Sequence, residues 1–306
     1  MNNKKTIWIV FLAAALLLTA CQPAASTPAA GDTTLQVTVS ILPQVYFVQR
    51  IGGSAVAVNV MVGPGEEAHT YEPTPDQMKA LTHSDVFFSI GVEYEDAWIP
   101  RFQEINSDLW VVDSSAGIER IELTDTHEDE TTAEDTADTH DHSEGLDPHV
   151  WLAPANGKLI AANVLTALQE LAPDQTPLFQ TNYDALIADI DALDAEITTT
   201  LEGLPNRTFM VFHPAWGYFA DQYGLQQLSV QVGGQDPSVS EVADLVSAAR
   251  ENNIKVIFIQ PTFSATDAEA IAQEIGGEVV AVDPLAKDWL ANLQTVAKAF
   301  AAALNE

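Results

Sequence analysis

The sequence predicts an α/β fold of two β/α lobes, each a parallel-sheet sandwich, joined by one long rigid helix. Two observations lead to this fold class. Segments with strand and helix patterns alternate both before and after the middle of the chain, and one long apolar stripe of helical spacing separates the two series. Of the 306 residues, 47% are hydrophobic, which is enough for the substantial core that two lobes need.

The first β/α series occupies the N-terminal part of the chain. Apolar patterns predict strands near residues 35–41, 56–62, 85–90 and 109–112, with a helix over 42–51. Thr74, Pro75 and Gln77 combine an N-cap, a proline suited to the first helical turn and a capping box, so a helix begins here. The loop of residues 63–73 is therefore expected to be fixed between a strand and a capped helix.

The middle of the chain predicts two helices, a first over about 156–170 and a longer one over about 177–201. The longer segment has apolar residues at helical spacing on one face: Tyr183, Leu186, Ile190, Leu193, Ile197 and Leu201. At ~1.5 Å per residue it would be about 37 Å long, which is sufficient to span two lobes. A coiled coil is the alternative, but the stripe covers fewer than four heptads.

The second β/α series follows this helix. Strands are predicted over residues 208–212, 228–232, 256–259 and 279–282, and helices over about 238–252, 267–275 and 289–304. Ser238 and Glu241 form another capping box at the start of the first of these helices.

The N-terminus has the features of an export signal. Lys4 and Lys5 precede an apolar run over residues 7–18, which is too short for a normal membrane-spanning helix. The sequence Leu18-Thr-Ala-Cys21 resembles the bacterial lipoprotein processing box, in which Cys21 becomes the lipidated first residue. A plain secretory signal with an incidental cysteine is the alternative. We therefore expect an exported protein, anchored by lipid to the outer face of the cell membrane or located in the periplasm.

Composition excludes several kinds of site and partner. Cys21 is the sole cysteine, so the mature chain has no intramolecular disulfide and no thiolate metal site apart from this residue. The formal net charge of −32, from 12 basic and 44 acidic residues, argues against nucleic acid as a partner. Most of this charge is expected to serve solubility.

Four side chains stand where predicted strands end or adjacent loops open, namely His69, His149, His213 and Asp283. In open α/β sheets, the carboxyl ends of the strands are the edge at which ligands bind. A lone histidine in such a place is more often structural, but here three share similar settings. Three imidazoles and one carboxylate make a tetrahedral zinc set.

Residues 121–147 differ from the rest of the chain in composition. They contain eleven Asp or Glu, three histidines (His127, His140 and His142) and no Lys or Arg. Such a segment has too little apolar content to fold alone, so one interpretation is a disordered acidic loop. The other is a flexible auxiliary metal loop, because histidine mixed with carboxylates binds divalent cations.

Four motifs carry a resemblance to a known family: Gly65–Pro73, Asp147–Leu152, Phe212–Phe219 and Val282–Leu285. Together with the lipoprotein box, they resemble the metal-binding lipoproteins of ABC-type zinc and manganese importers, the solute-binding cluster in which a rigid helix joins two lobes. The resemblance covers roughly residues 35–306. It implies that His69, His149, His213 and Asp283 bind a metal ion between the lobes.

The resemblance also bears on the choice of metal. Manganese-type members usually have Glu at the position matching His213, and imidazole suits zinc better than it suits manganese. Zn²⁺ is therefore the expected transported ion, with Mn²⁺ as the alternative. The sequence departs from many relatives at Trp216, where they have Tyr. It also departs in the acidic loop, which has only three histidines, and in lacking the disulfide that some zinc-binding relatives carry in the second lobe.

These inferences define an expected organisation of the chain. It consists of a signal peptide (1–20), the lipidated Cys21 with a flexible tether (21–34), an N-terminal metal-binding lobe (35–155), connecting helices (156–204) and a C-terminal metal-binding lobe (205–306).

The expected function is high-affinity capture of Zn²⁺ outside the cytoplasm and its delivery to an ABC-type membrane permease, by a monomer that is not an enzyme. A manganese or iron importer protein and a metal-binding surface adhesin are the alternatives. A zinc hydrolase is a weaker third, because the chain lacks an H-E-x-x-H helix, although Glu66, Glu67 or Glu72 could serve as a base.

Overall fold

A computed structural model of the chain describes residues 34–123, 145–231, 235 and 237–305. The predicted signal peptide, Cys21 and the loop histidines His127, His140 and His142 lie outside these residues. The domain limits proposed above therefore remain predictions. Within the described part of the chain, no helix combines the length and the apolar composition that crossing a membrane requires.

The N-terminal lobe is built on a four-stranded parallel sheet with the strand order β2-β1-β3-β4. Its strands are β1 (Leu35–Ile41), β2 (Val56–Val62), β3 (Val86–Ser89) and β4 (Trp110–Asp113). Its helices are α1 (Leu42–Gly52), α2 (Pro75–Leu81) and α3 (Tyr94–Ile105). The predicted capping box at α2 is confirmed: Thr74 Oγ1 accepts from the backbone N–H of Gln77.

The C-terminal lobe repeats this design with the strand order β6-β5-β7-β8, again all parallel. Its strands are β5 (Thr208–Val211), β6 (Gln226–Ser229), β7 (Val256–Ile259) and β8 (Glu278–Ala281). Its helices are α6 (Gly217–Tyr223), α7 (Val239–Glu251), α8 (Ala265–Ile275) and α9 (Trp289–Leu304). The two-lobed parallel α/β class predicted from the sequence is confirmed.

The sequence pattern distinguishes central strands from edge strands in both sheets. All four residues of β3, β5 and β7 are buried, as expected for strands covered by helices on both faces. The edge strand β6 begins at Gln226, two residues before its predicted start, because the N–H of Gln226 pairs with the carbonyl of Arg207. Its first two residues are both Gln, so an apolar pattern does not indicate where this strand begins.

The long central helix α5 (Thr176–Thr200) has 25 residues, and the helix α4 (Pro154–Leu171) precedes it. The predicted stripe is buried along α5: Leu186, Ile190, Leu193 and Ile197 are at most 3% exposed. This face packs against α4, against α1 of the N-terminal lobe and against α9 of the C-terminal lobe. One helix therefore contributes to the core of both lobes, as its length predicted.

Two buried tryptophans join the lobes near the site described below. The indole N–H of Trp151 donates to the carbonyl of Pro284 (2.7 Å), and that of Trp289 donates to the carbonyl of Trp151 (2.6 Å). Trp289 lies so close to Gly157 that a Cβ there would be 2.7 Å from the indole. We refer to Trp151, Trp289, Gly157 and Pro284 as the tryptophan clasp.

Candidate metal site

Three histidines from three separate loops meet at the carboxyl ends of the strands. His69 follows β2, His149 immediately precedes a 3₁₀ turn (Val150–Leu152), and His213 follows β5 by two residues. The Nε2 atom of His213 lies 3.1 Å from that of His69 and 3.3 Å from that of His149. Among the described residues, these three form the group of side chains whose ligand atoms are close enough to share one ion.

The separation of these nitrogen atoms fits zinc. Zn–N bonds of ~2.0–2.1 Å in a tetrahedron place neighbouring ligand atoms about 3.3–3.4 Å apart. The three histidines line a cavity of about 10 Å³ together with Glu67, Trp151 and Gln260. A space of that size suits a single ion rather than an organic molecule.

The His69 loop is held mainly by one amide. The Gln77 side chain accepts from the Tyr71 hydroxyl and from the backbone N–H of Thr74, and donates to the carbonyls of Val60 and Met61. Both ends of the loop are thereby fixed to β2 and α2, as the capping sequence predicted. The side chain of His69 nevertheless remains 25% exposed.

His149 is held by the buried carboxylate of Asp147. One oxygen, Oδ1, accepts both from the backbone N–H of His149 and from its Nδ1, each at 2.8 Å. The hydroxyl of Tyr218 in α6 donates to the backbone carbonyl of Asp147. Gly217 allows this approach, because a Cβ there would lie 2.5 Å from Asp147 Oδ2.

His213 lies in the C-terminal lobe and is almost fully buried. Its Nδ1 is 3.1 Å from Oε1 of Gln231, and its ring stacks on Phe263 with a centroid distance of 5.5 Å. The predicted ending of the strand before this residue is confirmed, since β5 stops at Val211.

Each histidine has an oxygen atom facing its Nδ1, from Glu93, Asp147 and Gln231 respectively. An acceptor at Nδ1 keeps the proton on that nitrogen and leaves the Nε2 lone pair free for a metal. The three Nε2 atoms are those that meet at the centre. The hydrogen-bond pattern thus selects the tautomer in which all three rings can act as ligands.

The histidines differ in charge environment. Burial lowers the pKa of His213 well below its ordinary value, and the nearby His149 and His69 lower it further, so this ring stays neutral. Burial also lowers the pKa of His69, but the hydrogen bond and charge of Glu93 outweigh it, and the net pKa is raised. Protons therefore compete with a metal more strongly at His69 than at His213.

Asp283, the predicted fourth ligand, follows β8 as expected but is not among the group of three. Its Oδ1 accepts from the backbone N–H of Leu285 (2.9 Å), while Pro284 and Leu285 line the small cavity. Its role as a ligand stays a prediction. The same holds for the auxiliary loop histidines, which lie outside the described residues.

Sequence reasoning did not single out Glu93, Gln231 or Gln260. All three follow the carboxyl end of a strand, namely β3, β6 and β7. Polar residues at that edge of a parallel sheet were the available signal. This signal is weak for Glu93, because the sequence does not predict α3 and therefore assigns no element that begins beside Glu93.

A second cavity of about 910 Å³ opens beside the histidines toward solvent. It is lined by Glu93, Asp96, Arg120, Pro214 and Phe263, together with the edges of all three imidazoles. It is adjacent to the site and large enough to hold a hydrated ion.

The turn between β3 and α3 is fixed by the buried carboxylate of Glu95. Its oxygens accept from the backbone N–H groups of Ile90 and Gly91 at 2.8–3.2 Å. Burial raises the pKa of Glu95 from its ordinary value of 4.5 to about 7, against the hydrogen bonds from Ser40, Gly91 and Ile90, which lower it. The folded protein therefore holds this proton more tightly than the unfolded chain does.

This pKa shift predicts a pH dependence of folding. The contribution of Glu95 to the free energy of unfolding is full below pH 4.5 and is lost as the pH rises from 4.5 to about 7. The loss is at most about 3–4 kcal/mol, at ~1.4 kcal/mol per unit of pKa. Urea unfolding of the metal-free Glu95→Gln variant should show a flatter dependence over this range. Glu104→Gln, an exposed change on the same helix, should keep the parental slope; equal slopes for all three proteins would contradict the prediction.

The fold and the site together define a class of protein. Two parallel α/β lobes joined by one helix, with three convergent imidazoles where the sheets end, define a metal-ion-binding protein of the two-lobed solute-binding type.

Comparison with known proteins gives the family. The profile of the ZnuA family, the periplasmic zinc-uptake complex component A, matches residues 37–303. The chain therefore belongs to the ZnuA family, within the cluster of solute-binding proteins that serve zinc and manganese import. Members of this family are extracytoplasmic substrate-binding components of transporters.

Individual relatives support this assignment. The chain is 29% identical over 291 residues to the high-affinity zinc uptake system protein ZnuA of Bacillus subtilis, covering 92% of this chain and 89% of that protein. A crystal structure of ZnuA is 38% identical with a TM-score of 0.80, over 89% of this chain and all of that one. The zinc-binding lipoprotein AdcA of Streptococcus pneumoniae is 26% identical over 284 residues, and the chain spans only 55% of its length.

Proposed function

We propose that this chain captures Zn²⁺ outside the cytoplasm and delivers it to an ABC-type permease. The observation that supports this most directly is the meeting of three Nε2 atoms at the spacing of a tetrahedral zinc site, each ring held in the ligand tautomer by an acceptor at Nδ1. Membership of the ZnuA family supplies the transport context.

The donor set favours zinc over manganese. Three neutral imidazoles suit Zn²⁺, whereas Mn²⁺ prefers a larger share of oxygen ligands. Asp283 is proposed as the fourth ligand, because its loop borders the cavity. Its carboxylate would reduce the charge of the zinc complex and close the coordination shell.

A closed shell also bears on catalysis. A zinc hydrolase needs an open coordination position for water and a base beside it. Glu67 Oε1 lies 3.8 Å from Nε2 of His69. The same oxygen accepts a hydrogen bond from the backbone N–H of His69, and this local contact explains the short distance without a catalytic role. We therefore propose that the protein is not an enzyme. We also propose that it acts as a monomer held to the membrane by lipid at Cys21.

The function is tested by titrating the purified protein from Gln22 onward with zinc in competition with a chromophoric chelator. We expect one tight zinc per chain, with an affinity that falls as the pH drops through the raised pKa of His69, because a proton then occupies Nε2. Manganese should compete poorly. Absence of tight zinc binding at pH 7.5 would refute the proposal.

A further inference from the structure

The three histidines of the site are not held in equivalent ways. The His149 side chain is 5% exposed and its partner Asp147 is 1% exposed, so that pair is sealed in the protein. The His69 side chain is 25% exposed, and its partner Glu93 is 57% exposed. One of the three imidazoles is therefore held by a carboxylate at the protein surface.

The contact between Glu93 and His69 is short and specific. Oε2 of Glu93 lies 2.6 Å from Nδ1 of His69, a distance at the short end for hydrogen bonds between a ring N–H and a carboxylate. The two residues come from different loops, one after β3 and the other after β2. Both loops belong to the N-terminal lobe, so the contact does not depend on how the lobes face each other.

No other described acidic side chain can replace Glu93 in this contact. Glu67 is near the opposite nitrogen, with its Oε1 3.8 Å from Nε2. Asp96 lines the same open cavity but has no hydrogen bond to His69 among the described contacts. Among the described residues, Glu93 is therefore the acceptor that holds the Nδ1 proton of His69 and leaves the Nε2 lone pair free for a metal.

From this geometry we infer that Glu93 is the positioning residue of the site: by holding Nδ1–H of His69, it aims Nε2 at the zinc ion and sets the rate at which zinc leaves. The inference rests on the proposed function. Glu93 does not touch the ion. It acts through the most exposed of the three imidazoles, and its negative charge also compensates part of the charge of the zinc complex.

The test is the rate of zinc release into excess chelator, measured by stopped flow on zinc-loaded parent, Glu93→Gln, Glu93→Ala and Asp96→Asn proteins. Release from Glu93→Ala should be about 10- to 100-fold faster than from the parent, the usual effect of losing the partner of a metal-bound histidine. Glu93→Gln should be intermediate, because its amide oxygen still accepts from Nδ1–H. Asp96→Asn removes the same charge from the same cavity wall and should stay within about twofold, since Asp96 has no such partner role.

A second readout separates positioning from a general effect on the fold. In the zinc-loaded protein, ¹⁵N NMR of the His69 ring should show a strongly hydrogen-bonded Nδ1–H in the parent, a weaker one in Glu93→Gln and an exchanging one in Glu93→Ala. The inference is overturned if Glu93→Ala releases zinc as slowly as Asp96→Asn. It is also overturned if the Gln and Ala variants release equally fast, because the hydrogen bond would then not matter. A parent that binds no zinc would instead refute the proposed function.

Discussion

Replacing His149 by alanine is expected to weaken zinc binding by at least about 100-fold. Zinc sites with four protein ligands bind with ~10–16 kcal/mol, or about 3 kcal/mol for each ligand, and 3 kcal/mol corresponds to a factor of more than 100. His149 is held in place by Asp147, whose Oδ1 contacts both its backbone N–H and its ring Nδ1. No described neighbour can supply a nitrogen in its place.

The measurement is competitive zinc titration, with the exposed His83→Ala variant as the matched control. His83 lies after α2, outside the group of three, so its loss should leave the affinity unchanged. His149→Ala leaves the buried carboxylate of Asp147 without its imidazole partner, which can destabilise the fold. The thermal stability of the metal-free variant should therefore be measured as well, to show that it is folded. The His149→Gln variant keeps a polar side chain and should lose zinc as well. Retention of parental affinity in either folded variant would exclude His149 as a ligand.

Replacing His213 by glutamate is expected to change which metal the protein prefers. A carboxylate at this place converts a nitrogen-dominated set into one with more oxygen, which favours Mn²⁺ relative to Zn²⁺. We expect the ratio of zinc to manganese affinity to fall by roughly tenfold or more.

This preference is measured by offering both metals together and determining the metal content of the reisolated protein. His213→Gln is the control, since it has a similar shape and loses the imidazole without adding a charge. It should lose zinc but gain no manganese. If His213→Glu keeps the parental preference, the identity of residue 213 does not set selectivity, and the argument for zinc from the donor set is wrong.

Much of the fold could be predicted because local patterns and tertiary packing agree. The stripe from Leu186 to Ile197 faces both lobes, and the capping boxes at Thr74 and Ser238 start helices where the sequence places them. The three histidines could be singled out because each stands beside a proline or glycine-rich boundary where a strand or loop ends. These features depend on neighbours in the chain, so one sequence is sufficient to reveal them.

The parts that escaped prediction depend on contacts between distant segments. The sequence does not predict the helix α3, because it contains Pro100 and begins without a capping side chain, although Tyr94 and Phe102 are buried. Glu93 and Gln231 acquire their role only when separate strands bring them to the Nδ1 atoms. Glu93 is 24 residues from His69, and Gln231 is 18 residues from His213. No periodic pattern in the sequence connects residues that are so far apart.

The tryptophan clasp has a consequence for the dimensions of the molecule in solution with and without its ion. Two indole hydrogen bonds, buried among close-packed aromatic rings and a glycine, leave little freedom for a wide rotation of one lobe against the other. Zinc loading should therefore leave the radius of gyration from X-ray scattering nearly constant, in contrast to proteins that swing shut on their ligand. The ion would then bind and leave through rearrangement of a few side chains and loops, while the two lobes keep their relative positions.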